Sequence, residues 1–291
     1  MRLRRFTAIA VLAGLGLAAG CGSGDTGTTT PTPTAAPTFA AGTTMAKLQS
    51  AQKITIGTKF DQPLFGLKGL DGNPAGFDVE VGKIIATELG IPADKITWVE
   101  TKSAVREEVI ETDKVDLVVA TYTINDTRKQ RISFAGPYYV AGQDILVRKD
   151  DTSITGPDSF KDGTKKVCSV TGSTPAKKIE EYVKDKAQIV LFGGYAECVE
   201  ALKTKTVDAV TTDNVILLGF AAQEPNAVKT LNKPFTQEPY GIGVKKDDKA
   251  FRDFINDVLE KIYKDGRYAK AWADTVGNVA PAPTGPSVSR Y

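Results

Sequence analysis

Residues 107–123 read EEVIETDKVDLVVATYT, and residues 198–214 read CVEALKTKTVDAVTTDN. In each stretch an amphipathic helical pattern is followed by a short basic turn and then by a strand that opens with Val-Asp. Both strands run into threonines at their ends. Because the same supersecondary unit occurs twice, the sequence predicts two similar lobes, each built around its own sheet.

Strands and helices alternate through the rest of the chain as well. Residues 54–58 (ITIGT) are typical of a buried strand, and residues 77–89 place their large apolar side chains on one helical face. This alternation predicts an α/β protein with mostly parallel sheets. Ligand sites in such sheets lie beyond the carboxyl ends of the strands, so the residues after VDLVVA and after VDAVTT are the first candidates.

The N-terminal twenty residues have the layout of a secretory signal peptide. Three arginines precede an apolar run over residues 6–19, which is too short and too rich in Gly and Ala for a convincing membrane-spanning helix. Residues 17–21 (LAAGC) resemble a bacterial lipobox, which implies that Cys21 is acylated and anchors the mature chain at a membrane surface. The alternative is an ordinary cleaved signal with an incidental cysteine.

Two segments have a composition that is typical of unfolded chain. Residues 21–46 are dominated by Gly, Ser, Thr, Pro and Ala and are predicted to form a disordered tether, and residues 278–291 a disordered tail. Between them, residues 173–183 (STPAKKIEEYV) carry a strong helix start with a proline at the first helical position. Residues 247–266 are predicted to form a helix that covers the core and ends at a glycine.

The composition excludes several classes of function. The chain has 37 Lys and Arg against 35 Asp and Glu, and its near-neutral balance argues against a nucleic-acid partner. It contains no histidine, and no metal-ligand cluster is visible, so we expect no metal, no cofactor and no enzymatic activity. Cys168 and Cys198 are expected to form a disulfide in an exported chain, with two separate buried thiols as the alternative.

Five motifs together resemble a known family. GFDVEVGKIIATELG (76–90), KVDLVVATYTINDTRKQRISFAGPYY (114–139), VTGST (170–174), VDAVTTD (207–213) and YGIGVKK (240–246) are similar, in order and spacing, to the polar amino-acid-binding family of solute receptors for ABC importers. The longest of these motifs is the most specific, whereas VTGST alone would be a weak signal.

The resemblance implies a periplasmic-binding-protein-like fold with two α/β lobes that close on a ligand. It implies a first lobe of residues 47–137 and 241–277 and a second lobe of residues 143–235. The hinge would then consist of residues 138–142 and 236–240. Both cysteines expected to pair would lie in the second lobe.

The same resemblance implies a site for the α-carboxylate of an amino acid. At the matching position, Arg128 would clamp the carboxylate, a role that suits the planar, permanently charged guanidinium. Thr121 through its backbone and Thr123 through its hydroxyl would assist. The N–H groups of Ser173 and Thr174 would meet the same carboxylate at a helix start. The alternative for Arg128 is a solvated arginine on a short surface helix.

Asp213 matches the family position that receives the α-ammonium group. A carboxylate there would make a charge-assisted hydrogen bond to the ligand. Its alternative role is to cap the helix that follows, which aspartate does well, and the two roles are compatible.

The second anion-binding pocket is implied by residues 102–109 (KSAVREEV), which resemble a segment of glutamate and aspartate receptors. Ser103 and Arg106 occupy the positions that contact the distal carboxylate there, and Lys59 matches a further cationic position. The alternatives are that Arg106 pairs with a neighbouring carboxylate and that Lys59 lies in solvent. Tyr195 matches another side-chain contact, although an aromatic residue packed at a helix start would look the same.

These implications combine into an expected function. The chain would capture free L-glutamate or L-aspartate as a monomer outside the cytoplasm, anchored to the cell membrane by its lipid, and pass it to the permease and ATPase of an ABC importer. Glutamine, asparagine or a basic amino acid is the alternative ligand. An enzyme or a sensor domain on the same scaffold is the alternative class, and the lack of histidine disfavours the enzyme.

Overall fold

The computed structural model describes residues 37–291. The predicted signal peptide (1–20), the predicted lipidation site Cys21 and most of the predicted tether lie outside the described residues. Among residues 37–291, no helix combines the length and the apolar character needed to cross a membrane.

The secondary structure follows the alternation expected from the sequence. In chain order the strands are β1 (Ile54–Thr58), β2 (Asp61–Gln62), β3 (Gly66–Lys68), β4 (Pro74–Ala75), β5 (Ile96–Glu100), β6 (Leu117–Val118), β7 (Ser133–Ala141), β8 (Gln143–Arg148), β9 (Val167–Val170), β10 (Ile189–Phe192), β11 (Ala209–Asp213), β12 (Val228–Thr230) and β13 (Glu238–Val244). The α-helices are α1 (Thr44–Ala51), α2 (Phe77–Glu88), α3 (Arg106–Glu111), α4 (Asp126–Lys129), α5 (Thr174–Lys178), α6 (Tyr195–Lys203), α7 (Asn214–Gln223), α8 (Lys249–Asp265) and α9 (Arg267–Thr275).

Two five-stranded sheets form the centres of two lobes. Lobe 1 has the strand order β5-β1-β6-β13-β7, and lobe 2 has the order β10-β9-β11-β8-β12. The strands β6 and β11, which come from the two similar sequence stretches, occupy the central position of their respective sheets. The predicted two-lobed α/β fold is confirmed. A small sheet of β2, β3 and β4 extends lobe 1.

The prediction of mostly parallel sheets is wrong in detail, because both sheets are mixed. In lobe 1, β1 pairs in parallel with β5 and β6, whereas β13 pairs antiparallel with β6 and β7. Lobe 2 repeats this pattern, with β9 in parallel with β10 and β11, and β8 antiparallel to β11 and β12. The antiparallel halves arise because the chain leaves one lobe and returns to it on neighbouring strands.

The lobes are connected by two segments that lie side by side. The chain passes from lobe 1 to lobe 2 at Gly142, between the end of β7 and the start of β8, and returns between β12 and β13. Glu238 on β13 pairs with Ala141 on β7, and Tyr240 pairs with Tyr139. The two connections therefore belong to one antiparallel ribbon, in which movement of one strand displaces the other.

An aromatic cluster packs the first lobe beneath this ribbon. The indole of Trp272 is buried and stacks on Tyr139, with ring centroids 5.1 Å apart, and it contacts Phe77 edge-on at 5.0 Å. Trp272 lies on α9, a helix that the sequence analysis did not predict. It follows α8 directly, because Gly266 adopts a left-handed conformation that ends α8 and begins α9.

Both predicted disordered ends differ from the structure. At the N-terminal side the ordered chain begins before residue 47, since Phe39 packs edge-on against Phe254 at 5.3 Å and α1 begins at Thr44. At the other end, residues 278–291 lie along lobe 1. Their few apolar side chains, including Val288, pack against the core, and Trp272 Nε1 donates a hydrogen bond to the carbonyl of Ala280. Composition alone hides these contacts, because they use scattered apolar residues and main-chain groups.

The predicted disulfide between Cys168 and Cys198 is confirmed. It connects β9 to α6 in lobe 2, with Cα atoms 5.5 Å apart and a sequence separation of 30. The bridge therefore holds together the strand and the helix that position lobe 2 residues at the interlobe cleft, Ser173 and Thr174 after β9 and Tyr195 on α6.

We predict that replacing both cysteines, as C168S/C198S, lowers the free energy of unfolding by about 3–4 kcal/mol, because the reduced chain gains the entropy of an open 30-residue loop. Urea unfolding followed by circular dichroism measures this change. Reducing the unaltered protein should shift its midpoint to the same value, and superimposable curves for oxidised and reduced protein would contradict the prediction.

Candidate functional site

A narrow cavity lies between the lobes. The carboxyl ends of strands and the first turns of helices from both lobes form its walls, as expected for open α/β sheets. Its lining residues are Gln62, Ser103, Arg106, Thr121, Thr123, Ser173, Thr174, Pro175, Tyr195, Asp213 and Ile216. Eight of the ten binding residues named from the sequence are therefore brought together; the other two, Lys59 and Arg128, contact this wall from behind or beside it.

The lobes contact each other directly around this cavity. Arg128 of lobe 1 donates a hydrogen bond from Nη2 to the carbonyl of Gly172 in lobe 2, at 3.1 Å. The hydroxyls of Thr123 and Thr174 lie 3.3 Å apart across the cleft. A Cβ atom at Gly172 would lie 2.7 Å from Cα of Ala104, so only glycine permits this approach. The structure is thus the closed arrangement of the two lobes.

A buried carboxylate that the sequence analysis missed shapes the lobe 1 wall. Asp78, in the first turn of α2, accepts hydrogen bonds from the backbone N–H of Thr121 (2.7 Å) and from the hydroxyl of Tyr138 (2.6 Å). Burial raises the pKa of Asp78 to about 7, against the lowering effect of these hydrogen bonds. Thr121 has a positive φ of 44°, and the bond to Asp78 helps to fix this unusual backbone at the cavity wall.

Arg106 forms part of the same wall. Its Nη1 donates to the carbonyls of Ala120 (3.0 Å) and Thr121 (3.2 Å), and its guanidinium carbon lies 4.1 Å from the ring centroid of Tyr122. Its Nε is buried and has no hydrogen-bond partner among the described residues. The side chain is 3% exposed, so the predicted alternative of a surface ion pair does not apply.

Lys59 lies beside Arg106, also buried. Its Nζ donates to the hydroxyl of Ser103 at 2.9 Å, which places it directly behind a cavity-lining side chain. Burial, followed by repulsion from Arg106, lowers the pKa of Lys59 well below its ordinary value. Within residues 37–291 neither Lys59 nor Arg106 forms an ion pair with a carboxylate. The charges of Asp61 and Asp78 act on Lys59 in the opposite direction without forming an ion pair, so the compensation of the two cations is partial.

Arg128 is buried beside the cavity, with its guanidinium carbon 5.0 Å from the same Tyr122 ring, and most of its N–H groups are bound by the protein. Nε lies 3.2 Å from Glu107 Oε1, and Nη1 donates to the carbonyl of Thr123 at 2.7 Å, in addition to the bond from Nη2 to Gly172. Burial and then Arg106 lower its pKa to about 10. A guanidinium has five N–H donors, so two remain for other partners. The side chain is 8% exposed, unlike a solvated surface arginine.

Asp213 provides the acidic group of the cavity. It stands at the N-cap position of α7, yet its side chain makes no capping hydrogen bond. Instead Oδ2 accepts from the hydroxyl of Tyr240 at 2.6 Å, and Oδ1 is buried without a partner among the described residues. Burial, and then repulsion from Glu238, raises the pKa of Asp213 to about 7. Such a carboxylate oxygen is a ready acceptor for a cationic donor.

The remaining lobe 2 contacts come from two helix starts. Ser173 caps α5, with its hydroxyl accepting the N–H of Ala176 at 3.1 Å, and Thr174 donates its hydroxyl to Oε2 of Glu238 at 2.7 Å. Tyr195 is the buried first residue of α6. Glu238 was not named from the sequence, because only the fold shows that the start of β13 lies beside α5.

A family comparison accords with this architecture. Residues 54–274 match the model of the bacterial extracellular solute-binding proteins, family 3. The glutamate-binding protein GluB of Corynebacterium efficiens is 41% identical over 233 residues, which cover 77% of this chain and 79% of the relative. The ABC transporter glutamine-binding protein GlnH of Bacillus subtilis is 40% identical over 226 residues, covering 77% and 81%.

Solved structures give the same result for the fold. An ancestral arginine-binding protein bound to arginine superposes with a TM-score of 0.72 at 34% identity, covering 77% of this chain and 98% of that protein. With its two lobes, its interlobe cavity and a family match that spans both lobes, this chain belongs to the bacterial extracellular solute-binding proteins, family 3.

Proposed function

We propose that this chain is the binding component of an ABC importer for acidic amino acids and captures L-glutamate or L-aspartate between its lobes. The observation that carries the proposal is the charge pattern of the cavity. Lys59 and Arg106 lie together at one end without a carboxylate partner in the described chain, and Asp213 exposes an unpartnered carboxylate oxygen to the same cavity.

The charges of an acidic amino acid complement this pattern. Arg128 pairs with Glu107. The other buried carboxylates nearby, Asp78 and Glu238, are occupied by hydrogen bonds from the protein. Lys59, Arg106 and Asp213 remain as charged groups without an opposite charge in direct contact among the described residues. A glutamate or aspartate zwitterion offers two carboxylates and one ammonium, the matching set. Burying a charge without a partner is costly, so a ligand that pairs all three groups gains the most from closure.

The proposed orientation assigns each ligand group to one wall. The ammonium would donate to Oδ1 of Asp213, and the α-carboxylate would meet the remaining N–H groups of Arg128 and the start of α5 at Ser173 and Thr174. The side-chain carboxylate would then point to Arg106, next to Ser103 and Lys59. Tyr195, Thr121 and Thr123 would enclose the ligand.

Glutamine is the second candidate, because the GlnH relative is about as similar to this chain as the GluB relative. An amide side chain would leave one excess positive charge buried at Arg106 and Lys59. Glutamine would therefore be disfavoured by this unpaired charge and not by its size. A basic side chain would add repulsion at the same end. We therefore rank the acidic ligands first.

The importer and the membrane anchor belong to the same proposal. A permease and an ATPase would receive the ligand, and Cys21, which lies outside the described residues, would carry the lipid that keeps the protein at the membrane. The relatives support the importer, since one of them is named as an ABC transporter component.

We predict that calorimetry with a panel of amino acids ranks the affinity for L-glutamate or L-aspartate above that for L-glutamine. We also predict that R106Q weakens glutamate binding tenfold or more, because the loss of a charge-assisted hydrogen bond typically costs about 1.5–3 kcal/mol of binding free energy. Glutamine binding should change less. R131Q is the matched control, since Arg131 is exposed and pairs with Glu111 away from the cavity. Equal affinity for glutamine in the unaltered protein would contradict the acidic-ligand proposal.

We also predict that glutamate binding releases protons near neutral pH. With the pKa of Asp213 at about 7, roughly half of the unliganded protein carries a proton there at pH 7, and the ligand ammonium favours the ionised form. Affinity should therefore fall as the pH decreases below 7, by about tenfold per pH unit. Arg106 and Arg128 oppose the raised pKa, and Glu238 supports it.

Calorimetry at pH 7 in phosphate and in Tris buffers measures the proton release. D213N removes the titrating group and should abolish the difference between the two buffers. Unchanged proton release in D213N would show that another group responds to the ligand.

A further inference from the structure

Helix α6 begins without a capping side chain of its own. Its N-cap residue is Gly194, and the N–H groups of a first helical turn need acceptors from elsewhere. Glu197, one turn into the helix, accepts the N–H groups of Gly193 and Gly194, each at 3.0 Å. The N–H of Tyr195 is bound by Oδ2 of Asp61 at 2.7 Å.

The acceptor for Tyr195 comes from the opposite lobe. Asp61 lies on β2, which pairs with β3 in the small sheet of lobe 1, whereas α6 belongs to lobe 2. Its carboxylate brings a negative charge to the positive end of the α6 dipole, where such a charge is favourable. Asp61 therefore caps the N-terminus of α6 from across the cleft, in the role that an N-cap side chain has within a helix.

The glycine at the N-cap position makes this contact possible. A Cβ atom at Gly194 would lie 2.5 Å from Oδ2 of Asp61, closer than the two atoms could approach. The φ of Gly194 is −142°, an extended conformation that alanine also adopts. Glycine is needed here for the space that the carboxylate occupies and not for its backbone freedom.

From these contacts we infer that Asp61 is a positioning residue that completes α6 only in the closed protein, fixes Tyr195 at the cavity wall and slows ligand release. Opening the cleft separates Asp61 from α6 and leaves the Tyr195 N–H to solvent. Asp61 does not line the cavity, whereas the interlobe contacts of Arg128, Thr123 and Thr174 involve proposed ligand-binding residues. The charge of Asp61 also raises the pKa of Lys59 against the effect of burial, so a measurement on the ligand-free protein is needed to separate closure from recognition.

The test combines two readouts on four variants of the full mature protein. Small-angle X-ray scattering gives the radius of gyration without ligand and with saturating L-glutamate, and a chase of bound tritium-labelled L-glutamate gives the dissociation rate. D61N removes the charge with little change in shape, G194A blocks the same contact from lobe 2, and D61N/G194A combines them. D71N is the control, because Asp71 is an exposed carboxylate in the neighbouring loop.

We expect D61N and G194A each to increase the radius of gyration of the unliganded protein and to speed dissociation by on the order of tenfold, the effect of losing one charged hydrogen bond. The double variant should match the single ones, since both remove the same contact, and D71N should behave like the unaltered protein.

Unchanged scattering and unchanged dissociation in both single variants would overturn the inference. Faster dissociation with unchanged scattering would do so too, because closure would then be unaffected. The ligand-free scattering does not depend on the ligand's identity, so it stands apart from a failure of the glutamate proposal.

Discussion

The site is governed by one constraint: charges removed from water must be paired. The closed lobes bury Lys59, Arg106, Arg128 and Asp213 within one small region, and of these only Arg128 has an opposite charge in direct contact within residues 37–291. The pKa of Asp213 is raised and the pKa of Lys59 is lowered because burial makes the charged form of each group less favourable. A ligand that neutralises the remaining groups shifts the equilibrium between open and closed lobes further toward the closed arrangement, which is how a binding protein couples recognition to shape.

The protein supports this charged region with a frame of buried hydrogen bonds. The buried carboxylate of Asp78 binds both the backbone of Thr121 and the hydroxyl of Tyr138, and so connects the cavity wall to the strand that leads into the hinge. Tyr240 does the same from the returning strand by donating to Asp213. Each wall of the site is thereby attached to one strand of the antiparallel ribbon between the lobes. The two tyrosines thus connect the walls of the cavity to the segments that join the lobes.

Much of this could be predicted from the sequence because the signals are local. Apolar periodicity predicted α2, the N-cap and proline signals predicted the start of α5, and the repeated Val-Asp strands predicted two lobes with sites at their ends. The lobe 1 contact through Asp78, the cross-lobe cap from Asp61 and the position of Glu238 depend on residues far apart in sequence. Helix α9 and the packed tail were missed for a related reason, since a left-handed glycine that starts a second helix looks like a simple helix end.

The most direct measurement is a crystal structure of the protein with L-glutamate. The account predicts closed lobes, the ligand ammonium within about 3 Å of Oδ1 of Asp213, and the side-chain carboxylate at hydrogen-bonding distance from Arg106. A ligand whose ammonium lay away from Asp213, or whose side chain turned away from Arg106 and Lys59, would contradict the assignment of charge in this cavity.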